Sequence, residues 1–138
     1  MKLSRPVAAR LPAFTLTELL IALVIVGILV YLALPDYSQV VANAKATEAK
    51  LQLEHLYSLE STHFYERSTY SGDLGALGYQ QQPLVSEGGT ANYKVEVVNA
   101  GSGQFLARAT AVVDFDQDGS FNVWEIDHRK QLKEVVKD

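Results

Sequence analysis

Between Phe14 and Leu34 the chain reads FTLTELLIALVIVGILVYLAL, an apolar run with Glu18 as its one charge. A helix of that length rises about 30 Å, close to the hydrocarbon thickness of a bilayer. The roughly 100 residues that follow could hardly enclose a helix that is apolar on every side, so a buried core helix is the poorer reading. The charge is the anomaly. A carboxylate near the membrane core costs about 2.5–3.5 kcal/mol, and so Glu18 calls for a partner.

The residues before the run, MKLSRPVAAR, carry Lys2, Arg5 and Arg10 and no acid. Basic residues ahead of an apolar helix resemble the n-region of an export signal and hold that end in the cytoplasm. A cleavable signal would place its small-residue site after the apolar run. Here the run ends in LALPDY, a poor site, and the small residue that stands out is Ala13, ahead of it. A cut there would leave the apolar helix on the mature chain. The sequence therefore reads as a basic leader over 1–13 and a membrane-compatible helical half over 14–35.

Beyond Pro35 the period changes. Ala42, Ala46, Ala49, Leu53, Leu56 and Phe64 recur at three- and four-residue steps, which marks one apolar stripe on an amphipathic half spanning 36–67. Gly27 and Pro35 can loosen or bend a helix without ending it, so the spacing predicts one long helix over 14–67. Glycines and Pro83 crowd 68–92, a connecting loop with one helical turn near Asp73–Leu77. Period two then sets in: Tyr93, Val95 and Val97, a turn at 99–103, and Phe105 to Val113 on one face. Further strands are expected at 122–127 and 131–136, joined at His128-Arg129. The fold class is α+β, with the long helix packed on a four-stranded antiparallel sheet over 93–138. Tyr57, Phe64, Tyr65 and Tyr70 are expected to pack between helix and sheet.

The acidic stretch DFDQDGSFNVWE, 114–125, fits the calcium-loop pattern D-x-[DN]-x-[DN]-G-x5-E over its length. Asp114, Asp116 and Asp118 would offer carboxylates, Ser120 its carbonyl, Asn122 an amide oxygen and Glu125 a bidentate carboxylate, with Gly119 at the sharp turn. The flanks read as strands rather than the helices of an EF-hand. Extended backbone at 123–126 would turn Trp124 and Ile126 to the core and Glu125 outward. The three aspartates are thus the firmer ligands, and an Asp/Gly turn in water is the plain alternative.

Other chemistries are poorly represented. The chain has no cysteine, which excludes disulfides and thiolate sites, and its net charge of −4 argues against binding a phosphate backbone. His55, His63 and His128 are scattered, and no nucleophile–base grouping or phosphate-cradling glycine loop is present. An enzyme is not expected.

AFTLTELLIALVIVGILVYLALPDY and the order helix, loop, sheet together resemble the type IV pilins and the pseudopilins of type II secretion. The resemblance is specific at the N-terminus and an outline afterwards. It implies that a prepilin peptidase cuts between Ala13 and Phe14 on the cytoplasmic side and methylates the new amine. Ala13 departs from the glycine usual in that family. Glu18, Gly27 and Pro35 fall on positions that the family marks. The resemblance further implies that Glu18 of an incoming subunit meets the Phe14 amine of a subunit already in a filament, pairing two charges that are each costly in an apolar setting. Capping of its own helix is the alternative role for Glu18. The implied function is a structural subunit of a type IV pilus-like filament, with other copies and other pilins as partners. The precursor would sit once through the bacterial inner membrane, and the product would be an extracellular filament or a periplasmic pseudopilus. The alternatives are a secretion pseudopilin, a DNA-uptake filament, and a calcium-binding bitopic membrane protein that keeps its leader.

Overall fold

The computed structural model describes residues 13–34 and 37–137. The chain divides into two compact units, Met1–Pro35 and Asp36–Asp138.

The first unit is built on helix α1, Leu16–Ala33. Its 18 residues rise about 27 Å, enough with modest thinning to match a bilayer core of about 30 Å. None of them is buried. Leucine, isoleucine and valine cover every side, so the helix has no preferred apolar face. Gly27 lies within the uninterrupted helix, and a Cβ added there would meet nothing within 4 Å. The helix stops at Leu34, which is extended at φ −67°, ψ 110°. The residue before a proline is pushed out of the helical region by the proline ring, and Leu34 precedes Pro35. The single helix expected over 14–67 is therefore two helices. Pro35 itself lies outside the described residues, as do residues 1–12 of the basic leader.

The second unit begins with α2, Tyr37–Arg67, a 31-residue helix free of proline and glycine. Its stripe is buried as the spacing predicts: Ala42, Ala46, Ala49, Leu53 and Leu56 all face inward. Glu60, one turn beyond Leu56 on the same stripe, is buried as well. The helix ends where Ser68 turns left-handed at φ 57°, its N–H bonded to the Phe64 carbonyl at 2.7 Å. A helical turn at Asp73–Leu77 follows, with Leu77 N–H on the Asp73 carbonyl, and then a short 3-10 turn at Val85–Glu87. Gly89 is required at its place, since a Cβ there would stand 2.0 Å from the Pro83 carbonyl oxygen.

Four strands complete the unit: β1 Tyr93–Ala100, β2 Phe105–Ala111, β3 Val123–Asp127 and β4 Leu132–Val136. They form an antiparallel meander in the order β1-β2-β3-β4. The face of Tyr93, Val95, Phe105, Ala107, Ala109 and Ile126 packs with Ala49, Leu53 and Leu56 of α2 as one core. Small alanines on both partners allow close approach of helix and sheet. β2 stops at Ala111, before Val113, which stands 38% exposed instead of sharing the core face. Tyr57, Phe64 and Tyr70 do pack between helix and sheet, with Tyr70 4.9 Å from the Phe105 ring centroid. Tyr65 does not: it is 87% exposed.

Candidate functional site

Two places carry the chemistry singled out above, one in each unit. At the start of α1, Thr15 is the N-cap, and its hydroxyl accepts the Glu18 N–H at 3.2 Å. Glu18 reaches back so that Oε2 accepts the Thr15 N–H at 2.8 Å and the Thr15 hydroxyl at 2.9 Å. This reciprocal capping box satisfies two of the four donors that a helix N-terminus leaves open. The signal was present in the sequence as Thr15-Leu16-Thr17-Glu18 just before an apolar run, although only a capping role for Glu18 was foreseen, without Thr15. The box also fixes where the carboxylate sits. Phe14, Glu18, Leu19 and Ala22 line one recess on the first turn, with Phe14 90% exposed. Ala13 and Phe14 precede the helix in non-helical backbone, a form in which a peptide bond is open to a protease.

In the second unit, the β2–β3 loop gathers Asp114, Asp116 and Asp118, whose carboxylate oxygens come within 4.8 Å of one another. Backbone donors converge on them. Asp114 accepts Gln117 N–H at 2.6 Å on one oxygen and Gly119 N–H at 2.8 Å on the other. Asp116 accepts Asp118 N–H at 3.1 Å, and Asp118 accepts Ser120 N–H at 2.7 Å. Left-handed backbone at Gln117 and Gly119, φ 63° and 92°, folds the loop tightly enough for this. Oxygen donors so grouped suit a hard divalent cation.

The rest of the expected ligand set is engaged elsewhere. Glu125 faces outward as read, but its carboxylate is held by Arg108 of β2, directly across the ladder, with Nε at 2.8 Å and the terminal nitrogen at 2.6 Å. Asn122 is buried and points into the sheet. Its Oδ1 accepts the Tyr93 hydroxyl at 2.8 Å, and its Nδ2 donates to Glu134 at 2.8 Å and to the Val136 carbonyl at 3.0 Å. The structure thus brings three aspartates together and leaves Asn122 and Glu125 out. Ser120 stays next to the cluster through its own N–H. Both departures depend on strand register, which places Arg108 opposite Glu125 and the end of β4 beside Asn122.

The two units, each taken by itself, define a class: an apolar helix with no buried residue, followed in the chain by a helix packed on an antiparallel meander. This is the α+β pilin-like arrangement. The chain is 38% identical over 66 residues to the type IV major pilin protein PilA of Myxococcus xanthus (strain DK1622). It is a homologue of that pilin, which supports its place in the type IV pilin family. The match covers 48% of this chain and 30% of the relative, so the chain aligns with less than a third of that protein's length. No protein-family model matches the chain.

Proposed function

We propose that this protein is a structural subunit of a type IV pilus-like filament, held in the inner membrane by α1 and later packed through α1 among its own copies. The observation that carries this reading is the exposed apolar surface of α1, with one capped carboxylate at its first turn. Such a helix is stable only in lipid or against other helices. Cleavage by a prepilin peptidase between Ala13 and Phe14 would create an α-amine one residue before the N-cap Thr15. The capping box already directs the Glu18 carboxylate to that end of the helix. An ammonium from a neighbouring Phe14 could then neutralise Glu18 without disturbing the cap, because a carboxylate has lone pairs for several donors. The pairing would set the axial register between subunits. Gly27 and Pro35 would shape the packing of α1, glycine by letting helices approach closely.

The test is N-terminal sequencing and intact mass of the membrane-extracted protein. The expected chain begins at Phe14 with a methylated amine. A mature chain beginning at Met1 with a free amine would sink the reading in favour of a bitopic membrane protein.

Calcium at the β2–β3 loop is the accessory part of the proposal, with Asp114, Asp116 and Asp118 as ligands and the Ser120 carbonyl beside them. A site built from three carboxylates without Asn122 and Glu125 belongs to the weak, extracellular range, about 10⁻⁴–10⁻³ M. At millimolar calcium this contributes on the order of 1 kcal/mol. The expected result is a melting temperature that falls by a few degrees on chelation and recovers with calcium but not magnesium. A melting curve unmoved by chelator removes the metal from the proposal.

A further inference from the structure

The buried stripe of α2 passes through one residue that is not apolar. Glu60 is fully buried; its Oε2 accepts the Ser71 N–H at 2.9 Å, and its Oε1 has no hydrogen-bond partner. One turn further, His63 Nδ1 lies 2.8 Å from the Thr69 carbonyl, so that nitrogen carries the proton. Two side chains on one face of α2 therefore grip the loop 68–71 where it leaves the helix. The loop is tied on its other side by the Tyr70 N–H to the Gly101 carbonyl at 3.0 Å. The Tyr70 ring lies 4.6 Å from Phe64 and 4.9 Å from Phe105, covering that end of the core.

We infer that Glu60 and His63 form a pH-sensitive latch on the loop 68–71, closed while Glu60 is neutral and released as Glu60 ionises. A buried carboxylate with a single N–H donor is poorly solvated, and lifting the loop is the way to admit water to its second oxygen. Burial raises the Glu60 carboxyl above its usual range, and it outweighs the Ser71 N–H and the His63 charge, which both act to lower it. From the loop side the titratable neighbour is Tyr70, whose hydroxyl is pushed above its usual value chiefly by burial, with Tyr57, Glu60 and Tyr65 adding to the effect, so it stays neutral throughout. From the β3–β4 turn come Lys130, over the Tyr57 ring at 5.8 Å, and His128, which lines a recess with Tyr57, Phe64 and Tyr70. On the sheet, Phe105 packs against the Tyr57 and Tyr70 rings and does not titrate.

The sign follows from linkage. Closed, Glu60 holds its proton to a higher pH than it does when the loop is open and the side chain is wet. Opening therefore becomes easier as pH rises from the ordinary carboxyl range through the raised one, and is level on either side. Each unit separating the two values multiplies the opening constant by about ten.

Hydrogen exchange of the Ser71 amide in the full chain in detergent micelles, from about pH 4 to about pH 8, reads this directly once intrinsic rates are divided out. The expected result is a loss of Ser71 protection of about tenfold or more across the window, with the central-strand amide of Ala109 unchanged. Glu60→Gln should leave Ser71 protection level with pH. An equal loss in wild type and Glu60→Gln overturns the latch. Where Glu60→Gln fails to fold, the wild-type Glu60 carboxyl ¹³C shift decides. A titration midpoint at the upper end of the loss of Ser71 protection, where the loss levels off, upholds the latch, and one elsewhere overturns it.

Discussion

Helix α1 and helix α2 have opposite relations to their own chain. Every residue of α1 is exposed although nearly all are apolar, whereas α2 buries a single stripe against a sheet built to receive it. The second is a finished packing problem. The first is half of one. So large an exposed apolar surface marks a membrane or protein contact, and the proposed assembly asks that contact of α1.

The sharpest way to break the contrast is the same truncation in both helices. Leu53→Ala in α2 should cost the globular unit about 2–5 kcal/mol, because it leaves a cavity among fully buried neighbours. Leu23→Ala in α1 should leave the thermal transition of that unit within about 0.5 kcal/mol, since the buried core residues named for it come from α2, the loop and the sheet. Melting curves of the two variants side by side test this, and equal losses would mean that the two units stabilise each other.

A middle-sized effect is expected at Asn122. Asn122→Ala removes the partner of the buried Tyr93 hydroxyl and of Glu134, at a cost of about 1–3 kcal/mol. Denaturant unfolding measures that loss. The aspartate loop would keep its internal N–H bonds, so calcium affinity should change less than stability does.

The smallest effect belongs to the cap of α1. Thr15→Ala should cost about 1 kcal/mol, confined to the first turn, because it removes the hydroxyl that accepts the Glu18 N–H. Exchange of the Glu18 amide should quicken about fivefold while the amides beyond Leu23 stay unchanged. A change spread along the whole of α1 would show that the cap holds more than its own turn.

Much of the architecture was legible because periodicity is a local property. The stripe from Ala42 to Leu56 and the alternation from Tyr93 to Ala111 each announce a face, and both faces are buried in the structure. Glu60 also lay on the stripe by spacing, yet a charge at a core position reads as an error until its partner is known. That partner, the Ser71 N–H, comes from the loop.

Local pattern by itself determined the buried faces of α2 and the strands, the apolar identity of α1, the T-x-x-E cap and the closeness of three aspartates, because each depends on residues within one or two turns of one another. Tertiary structure alone decided that Glu125 belongs to Arg108, that Asn122 belongs to Tyr93 and Glu134, and that Glu60 can stay buried. Those pairings join residues 11 to 29 positions apart. Only strand register and the docking of the loop on α2 bring them within hydrogen-bond reach.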